Sequence, residues 1–80
     1  MRVPLRGSEA ADLIGRFLEG NLSYPQEWND FVDRGRRVEQ QVEPYRDRCD
    51  QLDPLVNRPG LPDPEALAEL RRIVTVLRTI

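Results

Sequence analysis

Gly20 and Pro25 place a helix stop and a helix start close together, and most of the aromatic residues flank them. The stretch from Ile14 to Phe31 holds both Phe, the single Trp and one of the two Tyr. A chain with this corner folds as one helix, a tight turn and an aromatic-rich second helix. Upstream of the corner, Ala10, Leu13, Ile14, Phe17 and Leu18 recur at helical spacing on one face. Ser8 is the expected N-cap, with Glu9 and Asp12 near the positive end of the helix dipole. Gly20 is placed to end the helix in a left-handed conformation. Gly15 lies mid-helix, where glycine costs about 1 kcal/mol relative to Ala, so a close neighbour is expected there.

Asn21 to Tyr24 forms the expected turn, and Pro25 suits the first helical position. Either Ser23 or Tyr24 precedes it as the cap; with Ser23, Gln26 completes a capping box. Tyr24, Trp28, Phe31 and Val32 form one stripe of this second helix, while Glu27, Asp30, Asp33 and Arg34 take the other side. Gly35 is the expected end. Phe17, Trp28 and Phe31 are assigned to the core, whereas Tyr24 and Tyr45 suit the boundary with water.

Further along, Val38, Val42, Tyr45, Cys49 and Leu52 keep a heptad-like spacing that allows one long helix. Pro44 argues against it, because an internal proline removes a hydrogen bond and clashes one turn back. The preferred reading is a loop or short turn near residues 37–41 and a helix from about Pro44, with Tyr45, Cys49 and Leu52 inward. Pro54 either bends this helix or starts a separate turn. Residues 57–62, with two prolines and a glycine, read as a linker. Asp63 caps the last helix, Pro64 opens it, and the helix runs towards Ile80. Its apolar face combines Leu67, Leu70, Ile73, Val74, Leu77 and Ile80, with Val76 at the margin. No stretch alternates like a strand. The expected fold is all-α, a bundle of three to four helices in a single domain over residues 1–80, with residues 1–7 as an extended or flexible lead-in.

At 80 residues the chain builds one thin core. The formal charge of −2 does not favour nucleic-acid binding through bulk charge. All 12 basic residues are Arg, which reflects either a GC-rich genome or a surface selected for fork-like contacts to carboxylate and phosphate. The lone Cys49 excludes an internal disulfide and suits a reducing cytoplasm. No apolar run approaches the ~20 residues of a membrane span, and Arg2, Pro4, Arg6 and Gly7 interrupt any signal-peptide core. Cytoplasmic residence is the expectation.

The absence of His removes the commonest general base and zinc ligand. One Cys makes no thiolate metal site, and the scattered glycines make no phosphate-binding loop. No catalytic, cofactor-binding or metal-binding residue is assigned, and the chain is expected not to be an enzyme. Cys49 is read as a small buried hydrophobe, with a thiol activated by Arg46 and Arg48 as the competing reading.

The candidate functional residues are charged. Glu27, Asp30 and Asp33 recur every three residues, as do Asp47, Asp50 and Asp53, so each set gathers near one helix face. Neither set has the alternate ligands, glycine and terminal Glu of a calcium loop. Each is a solvated helix surface or an acidic patch that meets a basic partner. Arg34, Arg36 and Arg37 form the dense basic cluster, either complementing a helix C-terminus or contacting phosphate or an acidic partner.

Arg16-Phe17-Leu18-Glu19-Gly20 followed by Tyr24-Pro25-Gln26-Glu27-Trp28-Asn29-Asp30-Phe31 resembles a family of small, largely uncharacterised bacterial proteins. Their pattern is Phe-Leu-x-Gly, a short turn, then Glu-Trp-Asp-Asp-Phe, followed by an Arg-x-Arg-Cys segment and a Leu-rich helix. Tyr45-Arg46-Asp47-Arg48-Cys49 and the Leu67–Leu77 region match the later parts, and Asn29 departs from the usual Asp. The resemblance implies a cytoplasmic bacterial protein with an all-helical fold, and no established activity. Size and acidity are also similar to those of toxin-immunity proteins, by analogy alone. The leading expectation is a non-catalytic protein-interaction module, immunity-like, using Glu27, Asp30 and Asp33 or Asp47, Asp50 and Asp53. The alternatives are nucleic-acid association through Arg34, Arg36 and Arg37, and a homodimer through the apolar face of the C-terminal helix.

Overall fold

The computed structural model describes residues 3–20, 25–33 and 35–80, with Pro25 and Gln26 described by their backbone. The expected turn at Asn21–Tyr24, its Ser23, Tyr24 and Gln26 cap contacts, and Arg34 lie outside the described residues. Four helices follow one another: α1 (Gly7–Leu18), α2 (Pro25–Val32), α3 (Glu43–Val56) and α4 (Pro64–Leu77). Each packs on the next, and α4 closes the ring against α1 in the most extensive contact of the bundle. The fold is all-α, and among the described residues strand-type pairing is limited to one isolated bridge, Leu5 with Val38.

That bridge changes the reading of the lead-in. Leu5 N–H donates to the Arg37 carbonyl and the Glu39 N–H donates to the Leu5 carbonyl, each at 2.9 Å. The Leu5 side chain is 7% exposed and belongs to the core. Among the described residues before α1, Arg6 is extended, and Leu5 ties this segment to the loop that enters α3. The helix also begins earlier than Ser8. Arg6 is the N-cap, and its backbone N–H donates to Glu9 Oε1 at 3.1 Å. The Arg6 N–H and guanidinium together hold the Glu9 carboxyl below its usual pKa.

Gly20 takes φ +72°, and its N–H donates to the Phe17 carbonyl at 3.1 Å, closing α1 as its sequence requires. At α4, Asp63 Oδ1 accepts from Glu65 N–H at 2.8 Å and from Ala66 N–H at 3.3 Å, which is the expected cap. Residues 36–42 are loop and turn, and Pro44 sits in the first turn of α3. Pro54 neither breaks the helix nor opens a separate turn, since α3 continues through it to Val56. Both Pro54 and Asp50, whose carbonyl loses its donor, are exposed, so water can replace the missing bond.

Two glycine readings are corrected. Gly35 does not end α2, which stops at Val32, and its backbone is not left-handed. Gly15, expected to permit a close approach, has room: a Cβ there would meet Arg78 Nη2 at 3.9 Å. The close approach is at Gly7, where a Cβ would lie 2.5 Å from the Leu77 carbonyl oxygen. The start of α1 thus touches the end of α4, backbone against backbone. Opposite outcomes are expected from one substitution type. Gly15→Ala gains about 1 kcal/mol of helix propensity, and Gly7→Ala loses about 1–3 kcal/mol by overpacking. Urea denaturation of both variants checks this, and a stabilised Gly7→Ala protein would contradict the packing described.

Trp28, Phe31, Ile14, Leu70, Leu77, Val32 and Val42 are fully buried at the centre. Phe17 is half-buried but stacks on Trp28, with ring centroids 4.0 Å apart and planes 8° from parallel. Tyr45 lies at the boundary, as expected. The buried side of α4 is Ala66, Leu70, Ile73 and Leu77, while Leu67 and Val74 are half-buried and Ile80 lies exposed beyond the helix. The wide apolar face that suggested a homodimer is therefore largely occupied within one chain.

Candidate functional site

The largest departure from the sequence reading is Arg46. Its side chain is 1% exposed. Nη1 donates to the Val32 carbonyl at 3.2 Å, Nε donates to Glu43 Oε1 at 3.1 Å, and Nη2 donates to both Glu43 and Asp47. The Glu43 carboxylate raises the guanidinium pKa further, so the group is charged throughout. Val32 is the last residue of α2, so Arg46 places a cation on the negative end of that helix. Sequence reasoning assigned that role to Arg34, Arg36 and Arg37.

Asp53 makes the second polar bond between the same helices. Trp28 Nε1–H donates to Asp53 Oδ1 at 2.6 Å. Arg46 and Asp53 are seven residues apart, two turns along one flank of α3. The sequence does contain this signal: two opposite charges spaced by seven beside the Val42–Cys49–Leu52 stripe. Along the chain it is masked, because Arg46 also falls beside Cys49 and within the Arg-x-Arg-Cys motif, and Asp53 within an acidic set.

This separates the two acidic sets. Asp47 is paired with Arg46 and Asp53 is bonded to Trp28, so these two serve the α2–α3 junction, and Asp50 remains exposed. Glu27, Asp30 and Asp33 all face outward from α2. Glu27 lies 3.8 Å from Arg16 Nη2. Glu27 and Asp30 also border a cleft of about 300 Å³ with Leu5, Leu13, Arg16 and Arg36. Arg36 is half-buried and Arg37 exposed, and both border a cavity of about 200 Å³ with Val38, Glu43 and Arg46. The two residues of the basic cluster inside the described set thus sit among carboxylates.

Cys49 is fully buried, and desolvation pushes its thiol pKa up to about 12. The nearby Arg46 lowers it only in part. The structural reading of this residue is therefore the one the environment supports. Alkylation at about pH 8 is expected to be slow in the folded protein and rapid after unfolding. Because the folded pKa lies above the unfolded value of 9.0, the protection is complete below 9.0 and is lost as pH rises towards about 12. The wild type should thus lose stability relative to Cys49→Ala across that interval, which paired denaturation curves will measure.

A cleft of about 420 Å³ lies between α3 and α4 over Leu52, Leu55, Ala66 and Ala68. Arg48 and Glu69 bridge its edge, with Nη2 donating to Oε1 at 2.8 Å. That pairing raises the Arg48 pKa and lowers that of Glu69. Among the described residues no group of His, Cys, Asp and Glu is arranged to hold a metal ion, and no buried side-chain nitrogen or oxygen lacks a hydrogen-bond partner. No described helix is long and apolar enough to cross a membrane.

Fold and surface together define the class: a small all-α bundle whose described surface is mainly charged, with Val3, Leu61 and Ile80 among its exposed apolar residues. Comparison with known proteins returned no matching family model, no matching curated protein and no matching solved structure.

Proposed function

We propose that the chain is a non-catalytic protein-interaction module that meets a basic partner through the outer face of α2. The observation that carries this reading is the outward placement of Glu27 and Asp30 on α2, and of Asp33 just past its end, while the apolar side of α2, Trp28, Phe31 and Val32, is fully buried. With its apolar chemistry spent inside, α2 offers a partner only charge and polarity, which favour steering and specificity. The α3 set is less suited, because Asp47 and Asp53 are engaged at the α2–α3 junction. An immunity-like role in a bacterial cytoplasm, with a basic toxin surface as the partner, is the finer form of this proposal. It rests on size, acidity and the sequence resemblance.

Charge reversal at Glu27, Asp30 and Asp33 tests the reading by capture of partners from the native host. Loss of one specific protein from the captured set supports it, and an unchanged set removes this surface. The nucleic-acid alternative rests on Arg36 and Arg37 bordering a cavity with Arg46. It requires binding that falls steeply with salt. Asp30 and Glu27 beside Arg36 oppose it, since they repel a polyanion at the same place.

A further inference from the structure

Outside the α2 face, the cleft between α3 and α4 combines features that point to one occupant. Its floor is apolar, from Leu52, Leu55, Ala66 and Ala68. Two residues before Asp63, which borders the cleft, Leu61 is 85% exposed on the loop that joins α3 to α4. That loop is held in shape. Arg58 Nε donates to the Leu61 carbonyl at 3.0 Å, and the Asp63 N–H donates to the Leu55 carbonyl at 3.0 Å. Leu61 is thus an apolar side chain presented to solvent by a fixed backbone, which lowers the ordering cost of burying it in an interface.

The rim carries both signs in a defined order. Glu65, Glu69, Arg72 and Val76 fall on one stripe of α4 at i, i+4, i+7 and i+11. Glu69 is already held by Arg48. Glu65 and Arg72, the latter also close enough to Glu69 to favour its charge, are exposed and lie roughly 10 Å apart along the helix axis. A uniformly basic or acidic partner would be repelled by one end of this rim. The surface that complements acid-then-base along an apolar cleft is the same surface turned around. A two-fold axis across the cleft sets Glu65 of each copy against Arg72 of the other, as an isologous contact requires. The helix dipole also favours acid first and base last, but it accounts for neither the apolar floor nor the exposed leucine.

We infer that the face of α4 along the α3–α4 cleft is a homodimer interface, with Glu65 of each copy paired across to Arg72 of the other and exposed Leu61 of each brought against exposed Val76 of the other. This is not the apolar face of α4, which is internal. The contact is small and its charges lie at the rim, so the dimer is weak, of micromolar class, and salt-sensitive.

Sedimentation velocity from about 10 μM to about 1 mM tests it. The wild type is expected to shift from monomer to dimer within that range. Leu61→Ser, Glu65→Arg and Arg72→Glu each weaken the dimer by about tenfold or more, while helical circular dichroism stays unchanged because all three positions are exposed. Mixing Glu65→Arg with Arg72→Glu restores association, since both cross-pairs are again of opposite sign. A wild type that is monomeric throughout overturns the inference. So does a dimer unaffected by the three variants, or a mixture that associates no better than its components. None of these results bears on the α2 surface.

Discussion

Trp28→Ala is expected to leave the protein largely unfolded at 25 °C, at a cost of roughly 3–5 kcal/mol. A domain of this size has a net stability of only about 3–5 kcal/mol. Trp28 is fully buried, stacks on Phe17 and tilts against Phe31 at 6.2 Å between centroids. Its indole N–H is bonded to Asp53. The truncation removes the packing of α1 on α2 and of α2 on α3 together. Trp28→Phe separates these effects. It keeps most of the ring but loses the bond to Asp53, for about 1–2 kcal/mol. A cycle with Asp53→Ala, which removes the acceptor, should give a coupling near 1 kcal/mol. Urea denaturation followed by circular dichroism measures all of these, and a folded Trp28→Ala protein of near wild-type stability would contradict the core described.

Arg46→Ala is the second large effect, at about 2–4 kcal/mol. Two losses combine: the buried Val32 carbonyl is left without its donor, and the long side chain leaves a void. The carboxylates of Glu43 and Asp47 are 41% and 44% exposed, so they regain water and add less than a fully buried pair would. Arg46→Met fills the space without the bonds and should recover about half of the loss. Arg46→Lys keeps the charge but not the fork, and should fall between the two. If Arg46→Met equals the wild type, the guanidinium contributes only volume.

Much of the fold is legible in the sequence because its signals are local. Gly20 must stop α1, since a left-handed residue is needed there and glycine adopts it without strain. Asp63 and Pro64 must start α4, because one supplies an acceptor and the other a fixed φ. Pro44 argues against one helix through residues 36–56, since proline fits most readily in the first turn of a helix, and α3 begins at Glu43. Trp28, Phe31, Cys49, Leu52, Leu70 and Leu77 are inward because helical periodicity puts them there. The three carboxylates of α2 are outward for the same reason.

What failed involved partners distant in sequence. Gly7 and Gly15 look alike along the chain, and only the path of α4 makes one of them a backbone contact. Asp33 and Asp53 look alike within their triplets, yet one faces water and the other receives the Trp28 N–H. Pro54 reads as a bend or the start of a separate turn, and no separate turn forms: a proline on the exposed side of an already packed helix is tolerated because solvent replaces the lost bond.

By itself, then, the sequence determined where helices begin and end and which face of each turns inward, because caps, prolines and periodicity act within a few residues. The tertiary structure alone decided which charges remain available to a partner. Whether a carboxylate or guanidinium is free or spent depends on what another helix brings within about 3 Å of it. For Arg46 and Asp53 that neighbour is α2, and Asp47 is held through Arg46; on the outer side of α2 Glu27 meets Arg16 of α1, at 3.8 Å, while Asp30 and Asp33 are exposed.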